Sequence, residues 1–174
     1  YVIWAPAYDV ALSTTYSGFY NAGVKLSVSG DTVSGYGNSE IWTVTNNEDG
    51  TVTISCGAGK LAMDTSYSSM PLNAVNDTWN LEAAGNGLYY VKNVGRECYI
   101  EWYDSKSYWS GYYSISEGSE GMFALKFTPA EMGFEVDSSV SESIASWGGG
   151  GAYDSTANAA VIQGDRYTSG DQVD

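Results

Sequence analysis

The sequence predicts an all-β fold made of three repeated units around one core. Three observations carry that expectation. The composition is the first: 14% of the residues are aromatic, with 15 Tyr and 6 Trp, alongside 21 Gly and only 3 Pro. Tyr, Trp, Thr and Val suit a pleated surface, and Gly suits the tight turns between strands. The second is an alternation of short apolar runs with turn residues. The third is the recurrence of the same anchors along the chain. Trp42, Trp79 and Phe123 fall at roughly 40-residue intervals, a period that belongs to repeat architectures.

The first unit reads as Tyr1-Val2-Ile3, then Val10-Ala11-Leu12-Ser13, then Ile41-Trp42-Thr43-Val44. It is longer than the others, and the excess maps to Thr14–Ser39, a Gly-, Ser- and Tyr-rich stretch that reads as inserted loops or hairpins. The second unit reads as Thr51-Val52-Thr53-Ile54-Ser55, then Lys60-Leu61-Ala62-Met63, then Thr78-Trp79-Asn80-Leu81. The third reads as Leu88-Tyr89-Tyr90-Val91-Lys92, then Tyr99-Ile100-Glu101-Trp102, then Met122-Phe123-Ala124-Leu125. Asp49-Gly50 joins two β-branched runs, and Gly85-Asn86-Gly87 repeats the design; both are hairpin signals. Alternation puts Trp42 with Val44, and Trp79 with Leu81, on one face of each strand. A single unit cannot bury that face alone, so three share a core.

This pattern resembles the β-trefoil of ricin-B-type lectins over roughly residues 1–128. The resemblance implies a β-trefoil fold, with a β-sandwich as the alternative, and carbohydrate binding. Two residues before the aromatic anchor, where that family carries Gln, this chain has Glu40, Asp77 and Gly121. The family's sugar subsites are therefore not carried over. The segment also looks like modules of large secreted or wall-anchored proteins of gut Firmicutes, which implies an extracellular, secreted or cell-wall-anchored location.

Charge and residue usage exclude several functions. The net charge is −14, with only 7 Lys+Arg, so phosphate neutralisation fails and neither nucleic acid nor an anionic membrane is an expected partner. The chain has no His. That removes the usual general base and the commonest transition-metal ligand. Close carboxylates such as Glu101 with Asp104, or Glu117 with Glu120, are expected by chance in an acidic chain. No enzyme, cofactor or metal site is expected. The oxygen-rich stretches Asn46–Gly50 and Asn73–Asp77 read as turns. The two cysteines, Cys56 and Cys98, sit near matching points of two repeats and are expected unpaired. No apolar run reaches membrane-spanning length. The abrupt start, Tyr1-Val2-Ile3, reads like mid-strand, so the chain is expected to be part of a longer protein.

After residue 128 the composition changes, and 129–174 reads as a short helix plus a linker or the start of another domain. Val140, Ile144 and Trp147 fall on one helical face, and Gly148–Gly151 ends the run. An alternative is a strap packed on the repeats through Tyr153, Val161, Ile162 and Tyr167.

The leading candidate site is the segment from Glu101 to Tyr113, with six aromatics among its thirteen residues. An alternating strand cannot bury them all. Aromatic faces stack on sugar C–H faces while carboxylates and hydroxyls bond the sugar hydroxyls. The expected ligand residues are Glu101, Trp102, Tyr103, Asp104, Tyr108, Trp109, Tyr112 and Tyr113. Trp102 and Trp109 also admit a second reading, as core or hairpin packing. Two further candidates are Tyr16–Asn21, which also reads as a satellite cluster, and Asp64–Tyr67, where Asp64 also reads as a turn cap. The expected function is a non-catalytic accessory module, expected to be monomeric in its own right, that binds a polysaccharide or host glycoconjugate. A protein-binding adhesin or immunoglobulin-binding domain is the alternative, since Tyr, Trp, Ser and Gly serve protein recognition too. A structural spacer is the third reading.

Overall fold

The structure is a computed structural model and describes residues 1–131. Thirteen strands form among them: β1 (Val2–Ala5), β2 (Val10–Tyr16), β3 (Asn21–Lys25), β4 (Ser27–Ser29), β5 (Thr32–Ser34), β6 (Thr43–Asn46), β7 (Val52–Cys56), β8 (Gly59–Lys60), β9 (Trp79–Gly85), β10 (Leu88–Asn93), β11 (Tyr99–Tyr103), β12 (Tyr108–Tyr112) and β13 (Lys126–Thr128). Short 3-10 turns are the only helical pieces among the described residues.

Six strands close a barrel. β1 pairs antiparallel with β13, β6 with β7, and β9 with β10. Single bridges, Val2↔Ile41, Val52↔Trp79 and Tyr89↔Leu125, join these pairs into a ring. Three hairpins cap one end: β2–β3, β11–β12, and a shorter one in which β8 runs on into the bridges Leu61↔Leu72 and Met63↔Asn76. Closure removes the sheet edges, which a β-sandwich would keep. The fold is a β-trefoil, as the threefold anchors predict.

The anchors have a physical role. Trp42 and Trp79 are fully buried. The Trp42 indole Nε1 donates to the Leu12 carbonyl at 2.9 Å, and that of Trp79 to the Leu61 carbonyl at 3.0 Å. Leu12 and Leu61 are themselves the matching anchors of their units. Each indole thus contributes a large apolar body and satisfies its one donor inside the core. Phe123, the third anchor, is also buried, has no donor to satisfy and packs edge-on against Tyr99. Ile3, Ile54, Val91, Ile100 and Leu125 complete the common core.

Turn chemistry sets the hairpins. Asn86 and Gly87 both have positive φ, 54° and 75°, between the paired Gly85 and Leu88. That is the type I′ geometry matching the twist of the flanking strands. The stretch Thr14–Ser39 needs a correction. It is not all insertion: β3 is a regular trefoil strand, and only the small β4–β5 hairpin is extra.

Two of the positions where the resembled family carries Gln have structural work here. Glu40 is buried, and its carboxylate accepts from the Gly37 N–H at 2.9 Å. Asp77 pairs with Lys60 at 3.4 Å. Cys56 and Cys98 are both free thiols, and burial pushes the Cys98 thiol up from its ordinary range. Tyr1–Glu131 forms one compact unit. The helix expected through Val140, Ile144 and Trp147, and the strap expected through Tyr153, Val161, Ile162 and Tyr167, lie outside the described residues.

Candidate functional site

The aromatic segment folds as the β11–β12 hairpin. Its register pairs Tyr99 with Tyr112, Ile100 with Gly111, Glu101 with Ser110, Trp102 with Trp109 and Tyr103 with Tyr108. Successive side chains point to opposite faces of a strand, and here the alternation sorts the residues by type. Ile100, Trp102, Trp109 and Gly111 take the inner face. Tyr99, Glu101, Tyr103, Tyr108, Ser110 and Tyr112 take the outer one.

The inner face corrects one expectation. Trp109 is fully buried and Trp102 is 5% exposed, so neither offers a ring to a ligand. Their rings meet at 5.5 Å between centroids. The Trp109 Nε1 donates to the Ala11 carbonyl at 3.0 Å, and the Trp102 Nε1 to the Asp104 carboxylate at 3.0 Å. Gly23 on β3 makes the room: a Cβ there would collide with the Trp102 ring. The two indoles are packing between the cap hairpins of the first and third units. Asp104 is exposed, but its carboxylate is engaged by Trp102.

The outer face is different. Tyr103 is 37% exposed and Tyr112 44%. Tyr112 stacks on Tyr113 at 4.6 Å and 24°, and Tyr113, just past the strand, is widely exposed. Tyr103 meets Tyr108 edge-on at 5.7 Å and 87°. Between these rings lie Glu101 and Ser110, each only 7% exposed.

A second sequence candidate joins the first. β3 pairs with β12 through Asn21↔Trp109, and one step along that register Tyr20 falls beside Ser110. The Tyr20 ring stacks on Tyr108 with centroids 3.5 Å apart and planes 14° from parallel. The turn carrying it is held by Ser17 N–H to Tyr20 carbonyl at 2.9 Å. Neighbouring Phe19 is 59% exposed. Tyr16–Asn21 and Glu101–Tyr113 are therefore one surface, a cradle floored by Glu101 and Ser110 and walled by Tyr20, Tyr103, Tyr108 and Tyr112.

The electrostatics of the cradle follow from its geometry. Burial raises the Glu101 carboxyl above its ordinary value, because the charged form loses hydration. No ion pair among the described residues offsets that cost. The hairpin's side-chain hydrogen bonds run from Tyr99 to Glu82 at 3.1 Å, from Trp102 to Asp104, from Ser107 to the Asp104 carbonyl and from Trp109 to Ala11. Among the described residues none of these uses Glu101 or Ser110. The ion pairs among the described residues lie elsewhere. Lys92, on the neighbouring β10, sits over the Tyr99 ring and against Glu97. The Tyr108 hydroxyl is pushed up to about 12, first by hydrogen bonding with Tyr20, then by burial and by the charges of its neighbours, Glu101 among them. The Tyr112 hydroxyl is raised first by hydrogen bonding with Tyr113, and Glu101 adds to it. These phenols stay protonated near neutral pH and keep their O–H donors.

The third sequence candidate is a held turn. The Asp64 carboxylate accepts from the Thr65 N–H at 2.7 Å. Arg96 donates to the carbonyls of Asp64 and Tyr67 at 2.5 and 2.6 Å. Asp64 is spent on its own turn, and Tyr67 stands exposed beside it.

Two residues of the cradle escape a reading by segments. Ser110 is unremarkable until the register sets it opposite Glu101. Tyr20 belongs to another repeat. The alternation in Tyr99–Tyr103 and Tyr108–Tyr112 was the available signal, since it already divides Trp from Tyr.

No protein-family model matches this sequence, and no curated protein matches it. Solved structures do share the fold. One is a designed threefold-symmetric protein, ThreeFoil, with a TM-score of 0.58 and 15% identity over 75% of this chain and 98% of that one. Another is a GlcNAcα1-4Gal-releasing endo-β-galactosidase from Clostridium perfringens, with a TM-score of 0.59 and 10% identity over 75% of this chain and 32% of that one. At these identities the likeness is one of fold.

Proposed function

We propose that this chain is a non-catalytic, extracellular carbohydrate-binding module that serves a larger protein and binds its glycan in the tyrosine cradle. One observation carries the reading. On the outer face of β3, β12 and β11, four tyrosines surround a carboxylate and a hydroxyl that no side-chain hydrogen bond or ion pair among the described residues engages. Rings of this kind stack on sugar C–H faces, and the free acceptor and hydroxyl bond sugar hydroxyls. Burying an acidic group without an intramolecular partner lowers stability, and such costs gather at functional sites. The trefoil fold also occurs within a galactosidase that releases a GlcNAcα1-4Gal unit, which agrees with a glycan ligand.

The non-catalytic reading rests on chemistry. Glycoside hydrolysis uses two carboxylates flanking the bond. By register, the outward neighbours of Glu101 are Tyr and Ser, and the Asp104 carboxylate is bound to an indole. A glycan array with affinity electrophoresis on polysaccharides tests the proposal. Tyr112→Ala and Tyr103→Ala should each weaken binding by about 1–3 kcal/mol, with the melting temperature nearly unchanged. If every glycan is refused while a host-protein pull-down succeeds, the module is a protein-recognition domain instead. Exposed Phe19 beside Tyr20 is the feature that would favour that second reading.

A further inference from the structure

We infer that the cradle selects a sugar bearing a free, positively charged amine, a hexosamine whose amino group is not acetylated, with Glu101 as its counter-ion. The inference rests on the carbohydrate reading above and names the ligand class for the same site. It follows from what the cradle lacks as much as from what it holds.

A neutral sugar would be served by hydroxyl donors and acceptors alone. Ser110 and the tyrosine hydroxyls already provide both. Glu101 adds a full charge at the floor, 7% exposed, with no ion pair among the described residues. Its oxygens are not among the fully buried atoms that lack a partner, but a largely covered carboxylate still loses hydration and gains from a cation that pairs with it. The walls suit the same visitor. The faces of Tyr20, Tyr103, Tyr108 and Tyr112 carry the negative side of the aromatic quadrupole, which attracts an ammonium group within several ångströms. An acidic sugar would meet Glu101 as a like charge, in a chain of net charge −14. An N-acetylated sugar would bring a neutral amide in place of the charge. An amine satisfies both parts of the cradle: it donates to the carboxylate while its ring stacks on tyrosine.

The geometry also sets the scale. Glu101 and Ser110 are directly opposed across the hairpin, with the Tyr103–Tyr108 pair on one side and the Tyr99–Tyr112 pair on the other. Tyr20, stacked on Tyr108, closes the third side. The floor is one cross-strand pair wide.

The test uses the full chain in titration calorimetry with three probes of equal length: an oligosaccharide of glucosamine, its N-acetylated counterpart and a glucose oligosaccharide. Tetramethylammonium is the fourth probe. Each is titrated into the unaltered protein and into Glu101→Gln at low and high salt, after thermal melts show that both are folded. The expected result is at least tenfold tighter binding of the glucosamine oligosaccharide than of either neutral one. That preference should shrink with salt and vanish in Glu101→Gln, where the affinities for the three oligosaccharides should converge. Equal binding of all three oligosaccharides overturns the inference and leaves the carbohydrate reading standing. A preference that survives in Glu101→Gln also overturns it, because the attraction then comes from the diffuse charge of the chain. Failure of every oligosaccharide removes the carbohydrate reading, and binding of tetramethylammonium alone would make the cradle a cation site unrelated to sugar.

Discussion

The second and third units fill the same place in the trefoil with unlike hairpins. In the second, Leu61 and Met63 point inward, fully buried, and the connecting loop is pinned by Arg96. In the third, Ile100 and Trp102 take those inward positions, matched by the Leu61–Ile100 anchor, and a full β11–β12 ladder replaces isolated bridges. Both large side chains lean on a glycine of a neighbouring hairpin. Met63 occupies the space over Gly111, and Trp102 the space over Gly23. The core therefore tolerates different volumes provided a neighbour gives up its Cβ. What the third hairpin adds beyond packing is its outer face. The second has no comparable tyrosine row, so the fold does not require one.

The largest effect should come from the packing that distinguishes the third hairpin. Trp109→Ala is expected to cost about 3–5 kcal/mol, read by denaturant unfolding, because it empties a fully buried site and leaves the Ala11 carbonyl without its donor. A loss below about 1 kcal/mol would mean the ring is not core. Next comes the glycine that makes room for its partner. Gly23→Ala should destabilise by roughly 1–3 kcal/mol through overpacking, and Trp102→Leu in the same chain should recover part of that loss. Additive behaviour of the two changes would sink the account of Gly23. The second unit's counterpart is milder: Arg96→Ala should cost roughly 1 kcal/mol and raise hydrogen exchange over residues 64–67, since it frees two carbonyl contacts at an exposed site.

The smallest shift carries the opposite sign. Burial raises the Glu101 carboxyl above the ordinary glutamate value of 4.5, so the folded state holds its proton more tightly than the unfolded state. Stability attached to that proton is present below pH 4.5 and is lost as pH rises through the raised folded value. Glu101→Gln should therefore be more stable than the unaltered protein at neutral pH, and the gap should close as pH falls below 4.5. The other acidic groups are common to both proteins, so the difference between their thermal melts against pH isolates the one carboxyl. A gap that does not change with pH would show that Glu101 pays no charge-burial cost.

Much of the fold was legible because its rules are local. Trp42 and Trp79 repeat one job, an apolar body with a donor aimed at the carbonyl of Leu12 or Leu61, so they recur in sequence. Asp49-Gly50 and Asn86-Gly87 mark hairpins because few residues accept positive φ. The site was legible as a segment and not as a surface. Six aromatics from Trp102 to Tyr113 announced a special hairpin, yet which of them face a ligand depends on where the core lies. Reading them by exposure alone put Trp102 and Trp109 on the wrong side.

By itself the sequence determined the all-β class, the threefold repeat, the turns and the absence of His, since each depends on residue type and short spacing. Only the tertiary structure decided that the two indoles face inward, that Tyr20 from the first unit completes the cradle of the third, and that Ser110 sits opposite Glu101. The place of Ser110 follows from the β11–β12 register, but that of Tyr20 arises from β3 pairing with β12 across a wide gap in the chain. A cross-strand register between distant repeats is set by how whole hairpins share one core, and no local pattern encodes it. The aromatic hairpin is thus two things joined back to back: a tryptophan face that packs into the trefoil, and a tyrosine face set around Glu101 and Ser110.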